Sequence, residues 1–404
     1  MATAAMTLAT SCSSDAVVED QQAANAIQFG VTTGNASRAA SYYCNNDKPT
    51  QFNVWAATAG TTYFEDESFS QKGGTENWTI DGDFARFWPS TEVSFFAVNN
   101  GKGDARFATV NWNKTDLVPT IDMIVKTKAS EQQDLLYAYT KATKNVQDNK
   151  CVANLNFRHA LSQVVFKAQN KNKNIYVEIS KVQVANLKTT GTFTFPTEVT
   201  DDKSDKSLND KHDQSGVIAD NDPSFGKWIN LGTTAPYTTT GAFGPIAVPC
   251  NKKEGENLEA VGVVNLTNNE GTATGEGSVK ANEQQNKKFS LIVLPQELAP
   301  AAYDKVHNKW EEDKAYFIVT CHVKNVAKGD GLAATKDDVT LYNGDIYIPV
   351  DIKWQVGKKY IYTFVFSEKG HGGYDEHGND VLIPIEFNVT VDDFADAKNN
   401  DINI

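Results

Sequence analysis

Apolar and polar residues alternate along short stretches of this chain, a pattern that predicts β-strands with one buried face. Ile27, Phe29 and Val31 alternate with Gln28 and Gly30. A period of two puts alternate side chains on one face, so this segment is predicted to be a half-buried strand. Other short β-branched or aromatic runs, bounded by Gly, Pro, Asn and Asp, are predicted strands by the same logic: 52–57, 93–98, 120–125, 134–140, 289–294, 315–323, 346–350 and 359–366. No region shows sustained helical periodicity, so we expect an all-β fold.

The alternation changes phase twice between residues 155 and 182. Leu155 and Phe157 share one parity, whereas Val164 and Phe166 share the other, and a second slip falls within 179–182. A slip of one residue moves the apolar face to the other side of the strand, as a β-bulge or a crossing between two sheets requires. These slips predict strands that bend from one sheet of a sandwich to the other.

The last predicted strand has the most regular alternation. Its apolar side chains form one stripe: Ile383, Ile385, Phe387, Val389 and Val391. Pro384 lacks a backbone N–H group, which favours a position at the edge of a sheet.

The chain of 404 residues is long enough for two domains of ordinary size. The polar stretch 141–150 is the best candidate for a boundary between them. We therefore divide the chain into a lipoprotein signal remnant, a tether with a removable first strand, an N-terminal β-sandwich and a C-terminal β-sandwich: 1–12, 13–38, 39–150 and 151–404.

Cys12 follows a short run of small and apolar residues and precedes a polar, acidic segment. The sequence Leu8-Ala9-Thr10-Ser11-Cys12 resembles a bacterial lipobox, although its leucine stands four rather than three residues before the cysteine. That resemblance implies cleavage before Cys12 and attachment of a diacylglyceryl group to it, which would hold the protein firmly at a membrane. The alternative is an ordinary N-terminal tail.

Charge and cysteine content exclude several classes of function. The net charge is −13 and no Lys- or Arg-rich run stands out, which argues against nucleic acid and anionic membrane surfaces as partners. No apolar run is long enough to span a membrane as a helix. The remaining cysteines have no zinc-like spacing and are expected to be free or buried thiols, although three disulfide pairings stay open: Cys44, Cys151, Cys250 and Cys321.

Nothing in the sequence singles out a catalytic site. There is no GxSxG, P-loop or GxGxxG motif, so we expect no enzymatic activity, no cofactor and no metal. His159 is expected to be a core histidine, and 371–380, rich in His, Asp and Glu, a polar hairpin loop rather than a cation site. Four tryptophans could stack on sugars or fill an aromatic core: Trp55, Trp78, Trp88 and Trp112.

Several stretches together resemble a known family. LNFRHALSQVVFKA, VQVANLKTTGTF, LIVLPQEL, VGKKYIYTF and IPIEFNVTVDDF, behind the lipobox, are similar to the fimbrillins of Bacteroidales, the type V pilins. The resemblance implies two transthyretin-like β-sandwich domains in tandem and export as a lipoprotein to the outer membrane. It also implies that an arginine-directed protease removes the tether and first strand, after which a strand from a neighbouring subunit enters the opened groove and a fibre grows.

The residues needed for such a mechanism can be named in this sequence. Ile27, Phe29 and Val31 would be the masking strand, and Arg38 the cleavage site, since it lies in a loop of small and polar residues of the kind that proteases cut. The segment 385–391 would be the donor strand, and head-to-tail donation forms open filaments. Expected partners are other fimbrial subunits, the processing protease and a host or bacterial surface ligand.

Two alternatives stay open at this point. The segment 383–391 could close the second domain of its own chain instead of being donated. Such a subunit would accept a strand but have none to give, as expected of an anchor, tip or accessory subunit. The other alternative is a surface lipoprotein that binds glycan or host protein and never polymerises.

Overall fold

The all-β prediction is confirmed in a computed structural model of the chain. It describes these residues: 25–33, 49–72, 77–82, 84–101, 103–144, 152–198, 222–238, 246–250, 262–266, 291–326, 338–368, 372–383 and 385–393. In these ranges the regular structure is β-strand apart from two 3₁₀ turns, Gly103–Ala105 and Ala129–Glu131. No helix in them is long and apolar enough to cross a membrane.

The first sheet closes on itself as a seven-stranded barrel. In chain-order numbering its strands are β1 (Gln28–Thr33), β2 (Gln51–Thr58), β3 (Thr61–Gln71), β4 (Trp78–Ile80), β5 (Val93–Asn99), β8 (Leu136–Ala142) and β9 (Val152–His159). They follow one another around the barrel in the order β1-β4-β3-β2-β5-β8-β9. The alternation seen in the sequence turns one face of each strand inward, and these faces form a separate aromatic-rich core.

A nine-stranded sheet forms one layer of the rest of the molecule. Its strands are β6 (Ala108–Asn113), β7 (Val118–Ile124), β11 (Ile175–Thr194), β12 (Lys227–Thr238), β13 (Ile246–Val248), β19 (Tyr316–Asn325), β20 (Val339–Pro349), β23 (Gly373–Tyr374) and β24 (Asp380–Val381). The long strand β11 pairs with four of them, β7, β12, β13 and β19. Its register with β19 shifts between Ile179 and Lys181, which confirms the irregularity predicted within 179–182.

A five-stranded sheet forms the facing layer. It contains β10 (Ser162–Asn170), β14 (Val264–Asn265), β15 (Leu291–Val293), β22 (Lys358–Phe366) and β25 (Ile385–Asp393). The two layers pack as a sandwich: the ring of Phe317 on β19 lies 5.4 Å from that of Phe166 on β10 and 4.9 Å from that of Tyr362 on β22. Two small antiparallel pairs complete the fold, β16 (Glu297–Leu298) with β21 (Ile352–Lys353) and β17 (Tyr303–Asp304) with β18 (Lys309–Trp310).

The chain passes from barrel to sandwich where the sequence first changes phase. Strand β9 ends at His159 in the barrel, and β10 begins at Ser162 in the five-stranded sheet. The predicted crossing between sheets is therefore confirmed. The outer face of the barrel also shares a core with the sandwich, since the ring of Phe96 lies 5.3 Å from Phe195 and that of Tyr137 lies 4.6 Å from Phe193.

The domain division stays a prediction. The proposed boundary at residue 150 falls between β8 and β9, which pair with each other in the barrel. Strands β6 and β7 lie within 39–150 but belong to the nine-stranded sheet. The transthyretin-like topology expected for both domains also stays a prediction.

Candidate functional site

Strand β1 closes the barrel with few backbone contacts on one of its sides. It pairs in parallel with β9 from Gln28 to Thr33. Its register with β4 on the other side is a single pair, Phe29 with Trp78. Closure of the barrel therefore depends on this short strand.

The side chains of β1 and the residue before it lie at the centre of the barrel core. Ile27, Phe29 and Val31 expose 2%, 0% and 3% of their surface, which confirms the half-buried strand predicted there. The Phe29 ring packs edge-on against Phe69 at 4.8 Å and Phe95 at 5.1 Å. Such edge-to-face pairs stabilise an aromatic cluster beyond the area they bury. The strand thus holds together side chains that come from several other strands.

Removal of β1 would leave an apolar slot in the barrel. Burial of an aliphatic or aromatic side chain contributes about 1.5–3 kcal/mol, so three of them form a large share of the stability of a domain. The slot would also bare the backbone groups of β9 that now pair with β1. Unpaired strand edges beside apolar surface readily accept another strand.

A strap formed by residues 84–88 lies beside the start of β1. The backbone N–H of Ile27 donates to the carbonyl oxygen of Arg86 at 2.7 Å, and that of Trp88 donates to Asn25 at 3.2 Å. An ion pair between Arg86 of the strap and Glu67 of β3 links the strap to the barrel. The hydroxyl of Tyr63 also donates to the carbonyl of Phe87. This segment could not be predicted from the sequence, because it lacks the alternation that predicts strands.

The two residues assigned to lipidation and cleavage, Cys12 and Arg38, lie outside the described residues. The other three arginines are engaged. Arg86 pairs with Glu67, and Arg106 forms a two-bond ion pair with Asp66 at 2.7 and 2.8 Å. The third, Arg158, donates to the carbonyl of Ser224 at 2.7 Å and stacks over Phe225.

Strand β25, the candidate donor, lies at the edge of the five-stranded sheet, where the alternation and Pro384 placed it. Among the described strands it pairs with β22 alone. Ile385 is buried and Phe387 is half-buried, with its ring 5.7 Å from that of Phe317. Val389 and Val391 are 51% and 40% exposed. In its own sheet the strand uses only part of its apolar stripe, and its role as donor stays a prediction.

Two polar features have structural roles. The Nδ1 atom of His159 contacts the buried carboxylate of Asp134, so the expectation of a core histidine is confirmed.

Asp375 shapes the turn between β23 and β24 by accepting hydrogen bonds from the backbone N–H groups of His377 at 2.9 Å and of Asn379 at 2.8 Å. The side-chain hydrogen bond from Asn379 is the main cause of the lowered pKa of Asp375. No group of three or more His, Cys, Asp and Glu side chains in the described ranges is arranged to bind a metal ion.

The tryptophans and the described cysteines belong to the packed interior. Trp55 and Trp78 are buried, while Trp88 and Trp112 are half-buried and pack against the two cores, as the core-packing interpretation predicted. Cys250 and Cys321 are both buried, and Cys321 is a free thiol. Burial is the main cause that raises the pKa of Cys321 to about 12. The other cysteines lie outside the described residues.

Comparison with known proteins gives a family and a set of similar structures. A family model described as fimbrillin-like matches residues 37–243. A fimbrial protein from Bacteroides vulgatus is 12% identical, with 90% of this chain and 98% of that chain covered and a TM-score of 0.48. A protein from Bacteroides eggerthii described as a "putative cell adhesion protein" is 11% identical, with 91% and 96% covered and a TM-score of 0.44. No curated protein matches the sequence.

Proposed function

This chain belongs to the fimbrillin-like family, whose model matches residues 37–243, and from that premise we propose that it is a cell-surface fimbrial subunit that acts in adhesion. The observation that carries the mechanism is the complete burial of Phe29 in a strand with one extended backbone partner. Such a strand both completes the barrel and can be replaced. We infer that β1 fills the apolar slot of the barrel until the subunit assembles.

Export and processing would follow from two residues. Lipidation of Cys12 would carry the protein to the outer membrane. Cleavage after Arg38 would then separate β1 from the remainder of the chain, leaving it held only by non-covalent contacts. An arginine-directed protease fits this role because the other three arginines are held by ion pairs or by a hydrogen bond to a backbone carbonyl.

Assembly would proceed by strand exchange. When β1 leaves, the strand that replaces it must supply three alternating apolar side chains and hydrogen bonds along β9. Strand β25 has the required alternation and already lies at a sheet edge. Donation from one subunit to the next is a heterologous contact, which extends into an open filament.

In this proposal the protein has no enzymatic activity and needs no cofactor. Its partners would be other fimbrial subunits, the processing protease and a surface ligand of host or bacterium. If β25 stays in its own sheet, the protein would instead be an anchor, tip or accessory subunit that accepts a strand and donates none. The other candidate, a glycan-binding lipoprotein, loses support because the four clustered tryptophans pack into the cores.

The processing step can be tested with an arginine-specific endoprotease. We expect the first cut after Arg38 by mass spectrometry, followed by oligomers that resist mild SDS. The control is Arg38→Gln, which should stay uncut and monomeric under the same conditions. An uncut Arg38 bond while the rest of the chain is digested would contradict the processing model. A cut chain that stays a stable monomer would instead favour the accessory subunit.

A further inference from the structure

Five aromatic rings cluster against the outer face of the nine-stranded sheet, outside both hydrophobic cores. Inward-pointing residues of β19 and β20, such as Phe317 and Ile346, are buried in the sandwich, whereas Tyr316 and Tyr347 have the opposite parity. The rings come from β17, β18, β19, β20 and β23, and we call them the aromatic patch: Tyr303, Trp310, Tyr316, Tyr347 and Tyr374.

Trp310 lies at the centre of the aromatic patch. Its ring stacks on Tyr347 at 5.4 Å and packs against the other three tyrosines at 5.2–5.8 Å. The side chain is only 8% exposed, and its indole N–H is buried without an acceptor among the described residues. A buried donor without a partner is unfavourable, and a phenylalanine would fill the stack without that loss. Stability alone therefore does not account for this tryptophan.

Two similar hairpins carry three of the five rings. Each begins with a Tyr-Asp pair, at 303–304 and 374–375, and each aspartate accepts hydrogen bonds from the backbone of the turn that follows it. The second turn packs on the first tyrosine, since a Cβ atom on Gly378 would lie 2.3 Å from the Cγ atom of Tyr303. The aromatic patch is therefore a preformed surface, which lowers the entropic cost of binding a partner.

The segments that surround the aromatic patch are strongly acidic. Residues 302–316, 342–347 and 372–381 contain eight carboxylates against three lysines, a net charge of −5. Burial is the main cause that raises the pKa of Tyr347, and three nearby carboxylates raise it further: Asp345, Glu376 and Asp375. The negative potential of these carboxylates thus reaches the rings.

Most of the tyrosine hydroxyls in the aromatic patch are available to a partner. The hydroxyl of Tyr303 donates to Asn308 at 2.6 Å. Within the described part of the chain the others form no hydrogen bond: Tyr316, Tyr347 and Tyr374. Aromatic rings, phenol oxygens and carboxylates together suit a lysine or arginine side chain, which they bind through cation–π contacts and charge-assisted hydrogen bonds.

We propose that the aromatic patch is the adhesive surface of this subunit and that it binds a lysine- or arginine-bearing segment of a basic partner protein. The inference rests on the proposed function for its adhesive role and names the chemistry of the surface ligand. The cationic side chains would lie against the tyrosine rings with their charges towards the carboxylates, and their apolar stems would cover the patch.

Charge and burial favour this partner over two others. A second copy of this chain carries a net charge of −13, so its surface is repelled. A sugar would need an open ring face on which to stack, and the largest ring, that of Trp310, is buried. A basic polypeptide meets both conditions, because its charge is complementary and its side chains can reach the tyrosines around Trp310.

Binding by the uncleaved monomer tests the inference without any need for assembly. The probe is a synthetic peptide in which lysine, arginine and serine alternate, and biolayer interferometry at about 0.15 M NaCl measures its affinity. We expect the peptide to bind, and a matched peptide with glutamate in place of lysine and arginine not to bind. Asp345→Asn combined with Glu376→Gln should weaken binding about tenfold.

A matched pair of substitutions controls for the charge of the whole chain. Asp116→Asn combined with Glu131→Gln removes the same charge from exposed positions outside the aromatic patch. We expect this pair to change the affinity less than about twofold, because a short peptide seated on the patch is screened from distant charges. Equal losses with the two pairs would show attraction to the overall charge of the chain and overturn the inference.

A second comparison tests the rings. Tyr374, which is 37% exposed, can be truncated without opening a core, and Tyr374→Ala should weaken peptide binding about tenfold. Phe84→Ala removes an exposed ring from the strap and should leave binding unchanged. Unaltered binding by Tyr374→Ala, or binding of neutral glycans in place of the peptide, would overturn the inference. These outcomes leave strand exchange untouched, since its failure would show only after cleavage at Arg38.

Discussion

Phe29 is the side chain on which closure of the barrel depends most. It is fully buried, and its ring packs against Phe52, Phe69 and Phe95. Phe29→Ala should destabilise the uncleaved protein by about 3–5 kcal/mol, the usual cost of a large core truncation. Denaturant unfolding of the full chain, with and without the substitution, measures this loss of stability.

The matched control for that truncation is Phe84→Ala. Phe84 is 82% exposed, so its truncation should change the unfolding free energy by less than about 0.5 kcal/mol. Equal losses in the two variants would show that β1 is not essential to the barrel.

Cys321 should be unreactive in the folded protein. Burial is the main cause that raises its pKa to about 12, and the thiolate is the reactive form. Iodoacetamide at pH 8 should leave the Cys321 peptide unlabelled until denaturant unfolds the chain, as mass spectrometry can follow. Rapid labelling under native conditions would contradict this burial.

At the scale of elements, the strands with regular alternation could be predicted from the sequence. The change of phase in the alternation after Phe157 also predicted the crossing from β9 in the barrel to β10 in the sandwich. Other features could not be predicted, because they depend on contacts between distant segments. The strap 84–88 is defined by its bonds to residues 25 and 27, and β6 and β7 join a sheet built mainly from the second half.

Strand β22 should make the protein sensitive to alkali. Burial is the main cause that raises the pKa of Tyr360 to about 12, and it raises the pKa of Tyr362 as well. The unfolded phenols titrate near 10. The folded state therefore retains protons that the unfolded state loses, and stability should fall as pH rises from about 10 towards 12.

Unfolding free energies at pH 8, 10 and 11 measure this loss. The variant Tyr360→Phe should show a shallower decline than the unmodified chain, even though its baseline is lower. That lower baseline follows from the loss of the hydrogen bonds at the Tyr360 hydroxyl, from Gln355 and to Lys353. A stability that does not change with pH in both proteins would contradict the buried phenols.

At the scale of the whole molecule, charge opposes assembly of identical copies. The full chain carries a net charge of −13, and cleavage after Arg38 removes only three acidic residues and one arginine, so approaching subunits still repel one another. Added salt screens this repulsion. Assembly of the cleaved chain should therefore be faster at 0.2 M than at about 0.02 M NaCl, as time-resolved light scattering can measure. A slower rate at high salt would indicate that attraction between opposite charges drives the encounter.

The central claim is that β1 is a closing strand that another strand can replace. Its most direct test is light scattering of the chain cleaved after Arg38, with and without an excess of a synthetic peptide of residues 25–33. We predict multiples of the monomer mass without the peptide and a monomer with it, because the peptide refills the slot. A cleaved chain that assembles equally well with and without the peptide would contradict the account, whereas a stable monomer without the peptide would favour the accessory subunit.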